Sequence, residues 1–174
     1  MLVELATLQA VSYIIGSLGV FVAAVYYVST LRNNQRTQQL QLETRQAQLF
    51  MQIYNQSHND PTFIDAINRI LEIGKIETYD KWQEVNRDGE NKKALSRVGM
   101  FYEGLGVLVK EGYVSIRLVA LLMTGMTRNW WENIYKSHVS DTRVQMGFPR
   151  FVSESEYLYN ELMNYINEHP ELRT

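Results

Sequence analysis

Leu5-Ala-Thr-Leu-Gln-Ala-Val-Ser-Tyr-Ile-Ile-Gly-Ser-Leu-Gly-Val-Phe-Val-Ala-Ala-Val-Tyr-Tyr-Val-Ser-Thr-Leu31 is a run of 27 residues without one charge. Crossing the hydrocarbon of a bilayer takes roughly 20 apolar helical residues. Val11 to Val28 supplies most of that length, and Tyr26 and Tyr27 stand near one end, where amphipathic rings favour the interface. A secretory signal needs a basic start and a short apolar run. This chain begins Met1-Leu-Val-Glu4, which is acidic, and its run is too long. The run also exceeds the usual soluble helix. The stretch therefore predicts a transmembrane anchor over residues 1–31.

Orientation follows from the flanks. No Lys or Arg precedes the run, whereas Arg32, Arg36 and Arg45 follow it. The positive-inside rule predicts a single-pass protein of the cell membrane, N-terminus outside, with residues 32–174 in the cytoplasm. Within the run, Ser12 and Gly16, then Gly19 and Ala23, are small residues four apart. Such a face lets helices approach closely in lipid, although Gly and Ala are common in spans anyway. Association through it, with a second copy or another membrane subunit, is the expectation.

Outward from the run, residues 32–58 contain no Gly or Pro and eight Gln. Gln, Arg, Leu and Ala are good helix formers, so the helix is expected to continue as a polar stalk. It then becomes the first bundle helix, with Leu42, Leu49, Phe50, Ile53 and Tyr54 on one side. Residues 59–174 read as a helical domain. Asn59-Asp60-Pro61 is a helix start, Phe63, Ile67 and Ile70 recur at helical spacing, and Gly74 ends the run. Further helices are expected over 77–86, from 91 to Lys110 with Gly112 closing it, and from Ser115 through Ile134 as the centre of the core. The last has a capping-box spacing at Ser153 and Glu156 and ends at His169-Pro170. No segment alternates as a strand does. The prediction is all-α: one membrane helix, a stalk, and a bundle of about five or six helices.

The region 99–162 resembles a prokaryotic family of unknown function. The similar stretches are Phe101-Tyr-Glu-Gly-Leu-Gly-Val-Leu-Val-Lys-Glu-Gly-Tyr113, Asn129-Trp-Trp-Glu132, Pro149-Arg-Phe151 and Glu156-Tyr-Leu-Tyr159. The resemblance implies an all-helical cytoplasmic domain, often behind one N-terminal membrane helix. It implies no activity.

Composition excludes more than it selects. With no cysteine there is no disulfide, thiolate zinc site or cysteine nucleophile. A net charge of −2 argues against a general nucleic-acid binder. Residues 91–150 carry a net +5, but segments of −4 flank them on both sides, so acidic and basic helices are expected to be neighbours. His58, His138 and His169 stand at helix ends without metal-ligand spacing. Gly99, Gly104 and Gly106 lie inside a predicted helix and not after a strand, so close helix packing explains them better than a phosphate loop. Trp130, Trp131 and Tyr135 suit core packing better than a stacking platform, with one Trp inward and the other partly exposed.

The function expected is non-enzymatic, without cofactor or metal: interaction as an oligomer or an accessory subunit of a membrane complex. The alternative is a ligand sensor or enzyme with a pocket near Glu103, Arg117 and Trp131.

Overall fold

The computed structural model describes residues 2–172; for 2–12, 14, 15, 17 and 56 it describes the backbone alone. Ser12, one of the four residues of the small face, thus has its side chain outside the described residues. Every regular element described is helical. By its contacts the chain divides into two compact units, Met1–Arg45 and Gln46–Thr174.

The first unit is built from helix α1 (Leu2–Asn59). Thr30, Thr37 and Thr44 lie within it, and each hydroxyl donates to the carbonyl four residues back, at 2.7–2.9 Å. The side chains of Leu18, Val20, Phe21, Val22, Val25, Tyr26, Tyr27 and Val28 are all exposed. So are Gly16, Gly19 and Ala23. Among the described residues, no helix is long and apolar enough to cross a membrane. Val11, Ser12, Ile14, Ile15 and Ser17, part of the uncharged run, lie outside the described side chains.

The second unit contains the end of α1, then α2 (Pro61–Ile73), α3 (Tyr79–Arg87), α4 (Gly89–Lys110), α5 (Ile116–Leu122) and α6 (Thr124–Asn129). A π-helical segment (Trp130–Tyr135), α7 (Val139–Met146), α8 (Ser153–Glu168) and a 3₁₀ turn (Pro170–Leu172) complete it. This is more helices than the five or six expected. The early starts and stops follow the sequence signals. Asp60 caps α2 through the Thr62 amide at 2.9 Å. Gly74 ends it at a φ of 70°. Asp88 caps α4 through the amides of Glu90 and Asn91, so α4 begins two residues earlier than its periodicity suggests. The amides of Gly112 and Tyr113 return to the carbonyls of Val109 and Leu108, which closes α4 in a Schellman motif.

Two corrections concern the second half. The expected continuous helix from Ser115 through Ile134 breaks at Met123, whose side chain is buried in the core. There the Thr124 hydroxyl turns back to the Ala120 carbonyl at 2.7 Å. The chain resumes as α6, then loosens into the π-helical segment. Leu121 and Leu122 consequently face solvent. The helix α7 has no counterpart among the expected helices; its apolar residues are few, and its end depends on Gly147 at a φ of 62°, with Phe148 N–H bonded to the Arg143 carbonyl.

The core is organised around α4, which packs against α2 on one side and α8 on the other. Val98, Tyr102 and Leu105 of α4 are buried together with Phe50, Ile76, Val119, Ile134, Leu158 and Leu162. The closest approach is at Gly106. A Cβ there would overlap the carbonyl oxygen of Glu154 and lie 2.6 Å from its carbon. Gly99 instead gives room to the Trp130 indole, 3.6 Å from where a Cβ would sit, and Gly104 faces open space. Close packing thus accounts for two of the three glycines.

Candidate functional site

The three residues expected to line a pocket have separate surroundings. Glu103 is half-buried on α4, and its Oε1 accepts the backbone N–H of Ser155 at 2.7 Å. That bond caps α8. The residue before the helix is Val152, in the left-handed region at a φ of 49°, and it offers no side-chain cap. Ser153 and Glu156 do not form the expected capping box: the Ser153 hydroxyl meets the Glu154 carboxylate, and Glu156 pairs with Arg143 at 2.7 Å. Glu103 therefore supplies from another helix what the local sequence omits.

Trp131 is buried and stacks near Tyr159, with ring centres 6.1 Å apart. Trp130 is equally buried, so neither indole is the partly exposed one expected. Arg117 is exposed on α5. None of the three lines the cavities of the bundle described below.

The segregated charges do meet across helices. Lys110 and Arg150 both reach Glu154, at 2.9 and 3.2 Å, and Arg97 reaches Asp60 at 3.3 Å. Lys110 is the main reason that the Glu154 carboxyl is held below its usual range. Beside the π-helical segment, Tyr159 donates to Glu132 at 2.9 Å and accepts from Lys136 at 3.2 Å, while Arg128 also donates to Glu132. Burial works against the Glu132 charge, but these donors outweigh it and hold the carboxyl low. This network satisfies itself, and none of its four residues lines the two cavities described next.

Two cavities differ in chemistry. A groove of about 430 Å³ between α2 and α4 is lined by Thr62, Asp65, Ala66, Arg69, Glu90, Lys93, Ala94 and Arg97. Its cations are already paired: Arg69 with Glu72 and Asp88, Lys93 with Glu90, Arg97 with Asp60. With Asp65 also in the lining, its cations are outnumbered by carboxylates, so it offers an anion no net attraction. The second cavity, about 160 Å³, lies among α2, α4 and α6 and is lined by Ile67, Ile70, Leu71, Val98, Tyr102, Gly125, Met126, Asn129 and Trp130. No charged side chain lines it. The Tyr102 and Trp130 rings are stacked in its wall, 5.5 Å apart and 14° from parallel. Burial pushes the Tyr102 phenol well above its ordinary range, so it stays protonated. In the sequence, Tyr102 is one apolar position among many on α4. Only the fold sets it against Trp130.

His138 stands at a helix end, as expected, immediately before α7, and is buried in the core. Its Nε2 lies 2.6 Å from the Ile134 carbonyl, which can only accept, so the neutral ring carries its proton there. Nδ1 accepts from the Thr142 hydroxyl at 2.8 Å. Among the described residues no group of His, Asp or Glu is placed to hold a metal ion.

The chain belongs to the family described as a domain of unknown function (DUF4760), which it matches over residues 13–162. No curated protein matches it. No solved structure matches it either.

Proposed function

We propose that this protein is a membrane-anchored helical domain that works by non-catalytic interaction, as an oligomer or as an accessory subunit of a membrane assembly. The observation that carries the reading is the uncharged run of 27 residues, taken with the exposure of its described apolar side chains. At about 100° per residue, Leu18, Val20, Phe21, Val22, Val25, Tyr27 and Val28 cover more than half of the helix surface, and the remaining side carries Gly16, Gly19, Ala23 and Tyr26 without a charge. A surface helix of a water-soluble protein shows one apolar stripe and keeps its other side polar. A helix apolar all round suits lipid. The described residues alone fall short of a span; the reading uses the whole run, including Val11, Ile14 and Ile15.

The polar residues beyond Leu31 then form a stalk, and Arg32, Arg36 and Arg45 favour a cytoplasmic bundle. Gly16, Gly19 and Ala23, with Ser12, offer the face for association. The pairing of the groove's cations and of the Glu132 carboxylate with neighbouring groups supports interaction over catalysis.

The test is extraction and labelling. After alkaline carbonate washing the protein stays with the membrane pellet. In intact cells, an impermeant thiol reagent labels Glu4→Cys and leaves Asp88→Cys unlabelled. Release by carbonate would sink the anchor. Labelling of residue 88 from outside would reverse the orientation.

A further inference from the structure

We infer that the cavity among α2, α4 and α6 binds a small neutral molecule with a ring-sized apolar body and one hydrogen-bonding group, the chemistry of a simple aromatic alcohol. Size sets the first limit. About 160 Å³ is close to the apolar cavity of ~150 Å³ that holds one benzene molecule in another protein. Charge sets the second. With no charged residue in the lining, an ionised ligand would lose its hydration and gain no partner.

The third limit comes from unmet hydrogen bonds. Several buried side-chain polar atoms lack a hydrogen-bond partner among the described residues. Three of these are the Tyr102 hydroxyl and the Trp130 Nε1, on residues in the cavity wall, and the Thr127 hydroxyl beside Tyr102. The Thr127 hydroxyl stands close enough to the Tyr102 hydroxyl to work against the burial that raises the phenol's pKa, yet neither hydroxyl has a partner in full hydrogen-bond geometry. All three residues are at most 3% exposed. Native interiors leave few such groups unpaired, and a cluster of them calls for an unseen partner.

Backbone irregularity falls at the same place. The helix breaks at Met123, and the π-helical segment begins at Trp130. Such segments occur often at functional sites because a looser turn re-aims side chains. Met126 and Leu71, partly or largely exposed at this wall, give the cavity an entry. The ligand's ring lies against the Tyr102–Trp130 stack, and a small rotation of Tyr102 brings its hydroxyl to the polar group.

The test uses the full chain, with phenol and benzene as probes, and follows the indole N–H resonances of Trp130 and Trp82. Phenol is expected to shift Trp130 saturably, leave Trp82 in place, and bind at least about threefold more tightly than benzene, the margin one neutral hydrogen bond supplies. Leu71→Phe and Met126→Phe, which narrow the cavity from its more exposed side, should each weaken phenol binding about tenfold or more. The second variant stands if the first fails to fold. The inference is overturned by a Trp130 resonance that phenol does not shift saturably, as when water alone fills the cavity. It is equally overturned by equal binding of the two probes, or by folded variants that bind as the parent does. None of these outcomes bears on membrane anchoring.

Discussion

Replacing Gly106 with Ala and replacing Gly104 with Ala are the same chemical change, two residues apart on one helix, and they should act in opposite directions. At Gly104 nothing lies within 4 Å of the new methyl. The substitution simply exchanges the poorest ordinary helix former for the best, so it should stabilise by about 0.5–1 kcal/mol. At Gly106 the methyl carbon would sit 2.6 Å from the carbonyl carbon of Glu154 and overlap its oxygen. Carbon atoms in contact prefer about 3.5–4.0 Å. The obstacle is backbone, so the first turn of α8 must retreat by roughly 1 Å to restore that spacing. That retreat stretches the 2.7 Å bond from Glu103 to the Ser155 amide and disturbs the Lys110–Glu154 pair. Overpacking costs about 1–3 kcal/mol, and loss of a charge-assisted hydrogen bond about 1.5–3 kcal/mol. The helix-propensity gain of about 1 kcal/mol offsets part of this. A net loss of roughly 2–4 kcal/mol is expected, or about 5–15 °C in Tm for a domain of this size. The assay is reversible urea unfolding of the full chain in mild detergent, followed by tryptophan fluorescence. A Gly106→Ala protein within 0.5 kcal/mol (about the noise of surface substitutions) of the parent would refute the packing argument. So would a Gly104→Ala protein destabilised to the same degree.

Glu103→Ala should cost about 1–2 kcal/mol through loss of the α8 cap, with faster amide exchange at Ser155, and should add little to Gly106→Ala because both break one contact. Burial pushes the His138 pKa below its ordinary value of about 6.5, the stronger influence against the Ile134 carbonyl and Asp141 that favour the charge. The unfolded chain then binds the proton first, so stability should be flat above about pH 6.5 and fall as the pH drops toward the folded pKa. Urea midpoints on either side of that value test this, and His138→Gln should flatten the profile. Gly16→Ile or Gly19→Ile should weaken association by about 1–2 kcal/mol, read by light scattering of the detergent-solubilised protein. An oligomer unchanged by both would place the interface outside the small face.

Much of this fold can be read locally. Asp60, Gly74, Asp88 and Gly112 act on their own neighbours, through a side-chain oxygen two or three residues away or a positive φ. Their helix ends therefore stand where the sequence sets them. The apolar periods of α2, α4 and α8 are also local, because a helix of known period shows its buried face without its partner. The uncharged run at 5–31 is another property of sequence alone, and the proposed anchor rests on it.

What the tertiary structure decided involves residues distant along the chain. The start of α8 looks like a capping box over Ser153 and Glu156, yet Val152 takes a left-handed turn and Glu103, 52 residues away, caps it. Of three similar glycines on α4, only Gly106 meets the α8 backbone. The periodicity from Ser115 through Ile134 fits one helix, but burying Val119, Met123, Trp130 and Ile134 together bends the chain into three pieces. Glu103, Arg117 and Trp131 are close enough in sequence to suggest one pocket, and packing assigns them to a cap, the surface and the core. The cavity that remains is framed by Tyr102 and Trp130, which a helical wheel shows only as core residues. A cavity is a mismatch between faces from different helices, and no single face records it.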